Sequence, residues 1–162
     1  MEKLYLICNA HLDPVWQWNW EEGAAEALST FKSAADLLDE YDFIFNHNER
    51  ILYEYIEQND PALFERIKDL VKAGKWKIIG GWYLQPDELM PKGESLARQI
   101  LYGREYFYEK FGEKGFSDTA FSVDAFGHSR GLVQILKKCG QNNFITVRPF
   151  ANQLDLENNL FI

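Results

Sequence analysis

The chain is poor in cysteine, in basic residues and in long apolar runs, and each shortage removes a class of protein. Two cysteines, Cys8 in an expected strand and Cys139 near an expected helix end, make no disulfide framework and point to a reducing compartment. Lys and Arg number 17 against 25 Asp and Glu, and the resulting net charge of −8 opposes a nucleic-acid backbone or an anionic membrane as partner. A neutral substrate suits it better. The apolar start from Leu4 to Cys8 is too short for a signal-peptide core and far too short to span a bilayer. These absences together lead to the expectation of a cytoplasmic protein. No repeat, low-complexity tract or linker interrupts it. The chain does have the 46% hydrophobic and 26% charged content of an ordinary globular protein, over 162 residues that read as a single domain, whole or part of a larger one.

Patterning along the chain alternates strand with helix. Lys3–Asn9 reads as a short buried strand, followed by a helix from Glu21 to Leu38. Its apolar residues Ala24, Ala27, Leu28, Phe31, Ala34, Ala35 and Leu38 recur at the spacing of one buried face. Phe43–Asn46 is a second strand and Arg50–Gln58 a helix. Asp60-Pro61 then opens another helix as N-cap and first-turn proline, with Gly74 as its stop. Trp76–Ile79 is a strand cut off by Gly80-Gly81. Glu94–Phe111 is a helix facing inward through Leu96, Ile100, Leu101 and Phe107. Thr119–Val123, Leu132–Cys139 and Asn143–Val147 supply strand, helix and strand. Five strands separated mostly by helices imply an α/β fold with right-handed crossovers and a parallel sheet, either open or part of a barrel.

The residues able to do chemistry fall at strand exits. His11 and Asp13 follow the first strand, in Ala10-His11-Leu12-Asp13-Pro14-Val15-Trp16; an imidazole and a carboxylate two residues apart can turn toward one metal ion. Gln85 and Asp87 follow the third strand, Asp124 ends the fourth and Arg148 the fifth, and carboxyl ends of parallel strands form the active-site rim of α/β proteins. Each residue also has a plain structural reading. His11 and Asp13 can be a loop histidine and a helix cap, and Asp124 can cap the helix after it. Arg148 is by default a solvated charge; beside Asp124 it would hold a carboxylate ionised and oriented. His47 reads as a loop residue, and His128 as making a local hydrogen bond in its turn. Trp16, Trp18, Trp20, Trp82 and Tyr83 are core by default, though their place in strand-exit loops permits sugar stacking. Asp87, Glu88 and Glu94 can be a solvated face or first-turn helix acids, and of these only Asp87 is put forward as a substrate contact.

Together these residues resemble the retaining α-mannosidases of glycoside hydrolase family 38. The resemblance rests on the His11 segment, on Gly80-Gly81-Trp82 with Gln85-Pro86-Asp87 and Gly93-Glu94-Ser95-Leu96, on Asp124-Ala125-Phe126-Gly127-His128-Ser129 and on Thr146-Val147-Arg148, in order along the chain. It implies a seven-stranded (β/α) barrel, of which this chain would carry an incomplete part. It also implies that His11, Asp13 and Asp124 are ligands of one Zn²⁺, with Co²⁺ or Mn²⁺ also acceptable to such a site. Asp124 would be the catalytic nucleophile as well, Arg148 the basic neighbour that orients it, and Trp16 and Phe126 the aromatic lining of the mannose subsite. The implied substrates are α-mannoside glycans, cleaved through a covalent mannosyl-enzyme with retention.

Family members draw a further histidine ligand and the acid that protonates the leaving group from segments later in the chain. The apolar Leu160-Phe161-Ile162 reads as interrupted structure. The expectation is therefore an amino-terminal mannosidase piece with an open fourth metal position, little activity by itself, and an unpaired sheet edge after Asn143–Val147 that invites self-association. Two other functions fit the same residues. A metal-dependent carbohydrate de-N-acetylase gathers Asp and His at strand ends of a related barrel, and an inert sugar-binding fragment needs only the aromatic wall.

Overall fold

The computed structural model describes residues 3–148; the apolar Leu160-Phe161-Ile162 lies outside them. Helices and strands alternate as α1 (Trp20–Glu40), β1 (Phe45–His47), α2 (Arg50–Asn59), α3 (Pro61–Ala73), β2 (Trp76–Ile78), α4 (Gly93–Phe111), β3 (Thr119–Ser122), α5 (Arg130–Lys138) and β4 (Asn143–Thr146). The α/β alternation is the expected one. Among the described residues the strands pair as β1 with β2 and β3 with β4, which leaves the expected barrel unconfirmed. The chain folds as two compact units, one drawn from Met1–His47 and Ile51–Lys77, the other from Asn48–Arg50 and Ile78–Ile162.

In the first unit the helix ends are written in the sequence. Asn19 caps α1 by accepting from Glu22 N at 3.1 Å while the Glu22 carboxylate accepts from Asn19 N at 3.2 Å, which satisfies two donors that a helix start leaves orphaned. Asp60 caps α3 through Leu63 N at 3.0 Å, Pro61 follows it, and Gly74 closes the helix. α1 packs on α3, and its residues Ala24, Ala27, Phe31, Ala34, Ala35 and Leu38 are all buried as their spacing predicts. The centre is aromatic. Phe31 meets Tyr53 at 5.0 Å and Trp76 at 5.3 Å edge to face, and Trp76 Nε1 donates to Tyr53 Oη at 2.8 Å. Burial pushes the Tyr53 hydroxyl far above the usual phenol range, so it stays neutral. Arg66 on α3 ties Asp36 and Asp39 of α1 at 2.6 and 2.7 Å.

The expected strand Lys3–Asn9 is not formed. Only Cys8 pairs, in a single parallel bridge with Phe45, and Leu4, Tyr5 and Leu6 stand about four-fifths exposed. An apolar run forms a buried strand only where a ladder and a packed face cover it, and among the described residues Lys3–Ile7 has neither.

The second unit is built on Trp82, Leu96, Ile100, Ala120, Leu132 and Leu136. Trp82 Nε1 donates to Phe121 O at 3.0 Å, anchoring the loop after β2 to β3, and Gly80 N donates to Thr119 O at 2.9 Å. Gly103 lets α4 lie directly on that loop, since a Cβ there would stand 2.1 Å from the Gly81 carbonyl oxygen. Leu101, expected to face inward, is more than half exposed; the buried stripe of α4 runs through Leu96, Ile100, Gly103, Tyr106 and Phe107. β3 and β4 are parallel, in register from Thr119 opposite Asn143 to Ser122 opposite Thr146.

Candidate active site

That register fixes the main feature of the second unit. Asp124 and Arg148 each lie two residues past the end of a strand, and because the strands are parallel and level, the two exits leave side by side. Arg148 Nε donates to Asp124 Oδ1 at 2.9 Å, and the guanidinium lies 5.1 Å from the centre of the Phe126 ring. Both side chains of the ion pair remain over a third exposed, which leaves the carboxylate accessible. Asp124 is therefore no helix cap: α5 begins at Arg130 after Ser129. Arg148 is no free surface charge either.

The loop after β2 supports this pair from behind, through residues the sequence did not single out for it. Gln85 Oε1 accepts from Val123 N at 3.0 Å, one residue before Asp124. Asp87 Oδ1 accepts from Leu89 N at 2.7 Å and Met90 N at 3.0 Å, building a turn, and these bonds hold its carboxyl below the usual carboxylate range. The turn directs Glu88 inward. Its side chain has no exposure at all, contrary to a solvated-face reading, and Glu88 Oε2 is bonded to His128 Nδ1. His128 Nε2 in turn donates to Arg148 O at 2.6 Å. The histidine therefore does not make the local bond expected of it; it joins the β2 loop to the exit of β4. No local pattern signals such a pairing. The only hint in the sequence is a histidine and an acid in two strand-exit loops.

In the first unit, the loop after the Cys8 bridge is held at three points. Asn9 Nδ2 donates to Asn46 O at 2.7 Å, His47 Nε2 donates to Ala10 O at 2.9 Å, and Trp18 Nε1 donates to Asp13 O at 3.1 Å. His47, read as a loop residue, ends β1 and is buried against Phe31 at 4.6 Å. Gly23 admits Pro14 against α1, where any Cβ would stand 2.0 Å from the Pro14 carbonyl oxygen. The loop so held brings His11 Nε2 to 3.3 Å from Asp13 Oδ1, and the cap of α1 is Asn19 rather than Asp13. Tetrahedral zinc ligands at about 2.0–2.2 Å from the ion stand roughly 3.3–3.5 Å from one another, so this imidazole and carboxylate are spaced as two donors of one such shell. Among the described residues no group of three or more His, Cys, Asp or Glu is arranged to hold a metal ion.

Of the aromatics taken as core by default, Trp82 is fully buried, but Trp16 is 66% exposed and Trp20 56%. Trp16 meets Trp18 edge to face at 5.5 Å. Phe126 is 78% exposed, beside the Asp124–Arg148 pair. Exposed rings at these positions lack the covering that would explain them as core.

The fold is shared with solved proteins. The crystal structure of an α-mannosidase from Enterococcus faecalis V583 superposes with a TM-score of 0.75 at 22% identity, over 86% of this chain and 16% of that one. In sequence, residues 1–159 match the model of the glycosyl hydrolases family 38 N-terminal domain, and the chain belongs to that family. It is 32% identical over 154 residues to alpha-mannosidase G of Dictyostelium discoideum, covering 94% of this chain. It is 26% identical over 159 residues to the alpha-mannosidase of Saccharomyces cerevisiae, covering 96% of this chain. In both matches the chain spans 14% of the relative's length.

Proposed function

We propose that this chain carries the nucleophile and part of the metal site of a retaining α-mannosidase acting on α-mannoside glycans. The observation that carries the reading is the accessible Asp124 carboxylate, held by Arg148 at 2.9 Å with the bare Phe126 ring beside it, in a chain whose family relatives are named α-mannosidases. Asp124 attacks the anomeric carbon through a carboxylate oxygen as the glycosidic C–O bond breaks; the departing oxygen takes a proton from an acid outside the residues named here. Water then cleaves the new ester, releasing mannose with retention and restoring the carboxylate. Arg148 aims the carboxylate, and its charge opposes the drift of the negative group away from the anomeric carbon.

His11 and Asp13 are the proposed ligands of a divalent ion, Zn²⁺ by family resemblance. When bound, the ion would polarise and fix sugar hydroxyls. Trp16 and Phe126 present faces on which the C–H groups of a pyranose pack, and Asp87 keeps Oδ2 for a sugar hydroxyl while Oδ1 holds its turn. No helix among the described residues is long and apolar enough to cross a membrane. The two free cysteines support a cytoplasmic setting.

Labelling with an activated fluorinated mannosyl donor tests the reading. Mass spectrometry of digested protein is expected to find the mannosyl ester on Asp124. A de-N-acetylase would use that acid as a base and leave it unlabelled, and an inert binding fragment would bind mannose without any ester.

A further inference from the structure

We propose that Glu88 and His128 are a positioning pair that sets Arg148 against Asp124, acting through the Arg148 backbone carbonyl. The inference rests on the reading of Asp124 as nucleophile and deepens it. Burying a carboxylate is costly unless it is paired, yet Glu88 is wholly buried and its Oε1 has no hydrogen-bond partner among the described residues. A fold that needed only packing here would place an apolar side chain. What the buried acid does is hold one nitrogen of His128, so that the ring's other nitrogen is aimed at Arg148 O at 2.6 Å, with Thr146 Oγ1 beside it at 3.2 Å.

Arg148 lies two residues past the end of β4. Its carbonyl accepts from His128 Nε2 and from Thr146 Oγ1, each at 2.6 Å. With the chain held by the β3–β4 ladder up to Thr146 and by these two bonds at the Arg148 carbonyl, the Arg148 Cα is constrained from both sides, and with it the direction in which its side chain leaves the backbone. That direction brings Nε onto Asp124 Oδ1 and the guanidinium over Phe126. The β2 loop thus reaches the nucleophile along two routes, Gln85 to the backbone before Asp124 and Glu88 through His128 to its cation. Neither Glu88 nor His128 touches the reacting atoms. Their effect is orientation, where a displacement of about 1 Å is enough to lose ~10²-fold in rate.

The experiment uses NMR on the full chain, which needs no activity. In the wild type, the Arg148 Nε–H proton is expected to exchange slowly with water because it is bonded to Asp124. Glu88→Ala and His128→Ala are each expected to speed that exchange at least tenfold while the amides of the β3–β4 ladder keep their protection. Two conservative variants cover the case in which alanine unfolds the loop. Gln at 128 can put an amide N–H where the ring Nε2 stands, and should keep Arg148 protected; Asn can bond only toward Glu88, and should not. Arg148 exchange unchanged in His128→Asn, or Asn and Gln behaving alike, overturns the proposal. With the fluorinated donor, His128→Asn should slow the labelling of Asp124 at saturation about tenfold without changing the half-saturating concentration; a change in the latter alone also overturns it. If wild-type Asp124 is never labelled, the mannosidase reading fails, and the exchange measurement still decides the positioning role.

Discussion

Asp124 and Arg148 meet because two strands leave a parallel ladder in register, and their separate positions at strand exits were legible from the pattern of apolar runs alone. Their bond was legible as an option and is fulfilled in the geometry. Glu88 and His128 were not legible, because a short motif records what a residue is next to in the chain and not which carboxylate a ring will meet across a turn. Asp124→Asn keeps the shape and removes the proposed nucleophile. It is expected to abolish donor labelling and to lower any hydrolysis of activated aryl α-mannosides by roughly 10³-fold or more, assayed on purified chain. Arg148→Gln keeps a donor but loses the planar charge; labelling should slow about 10²-fold with the fold intact by circular dichroism.

At the level of elements, the helices were the readable part. The ends of α3 carry explicit chemistry at Asp60 and Gly74, and the faces carry a 3.6-residue period that burial follows except at Leu101 of α4; Asn19, the cap of α1, was not read from the sequence. Short strands carry no such marks, so Lys3–Asn9 and a real strand such as Trp76–Ile78 look alike until their partners are known. The close approach of Pro14 to Gly23 makes a sharp prediction. Gly23→Ala should destabilise the first unit by about 1–3 kcal/mol in chemical denaturation, and, on the proposed metal role of His11 and Asp13, should weaken any zinc binding measured by calorimetry as their loop is pushed off α1. The α1–α3 connection makes another. Hydrogen bonds from Lys32 and then Arg66 hold the Asp36 carboxyl below its ordinary 3.8, so the contribution is complete above that value and is lost as pH falls through the lower folded one. Asp36→Asn should therefore lower the melting temperature near neutral pH and flatten its fall below about pH 4.

As a whole molecule, the chain has two cores of different make, one a nest of aromatic edges around Phe31, the other mainly aliphatic around Trp82. The composition promised a packed core but not two, since percentages do not reveal how contacts divide along a chain. β4 is paired on one side only among the described residues, and such an edge accepts another strand. Sedimentation velocity across a concentration series is expected to reveal self-association that a Lys substituted for Ile145 reduces. Sedimentation independent of concentration would exclude it.

The uneven exposure of the tryptophans has an optical consequence. Trp76 and Trp82 sit in the dark of the interior, while Trp16 and Trp20 face water, so the fluorescence of this chain is a mixture of a blue and a red emitter. Iodide reaches only the red one. A mannoside seated on the indole of Trp16 would screen it from the quencher and shift the emission toward blue, and Trp16→Phe would leave the titration silent. On the proposed role of Trp16, the chain would carry its own gauge of sugar binding, readable without turnover, dye or label.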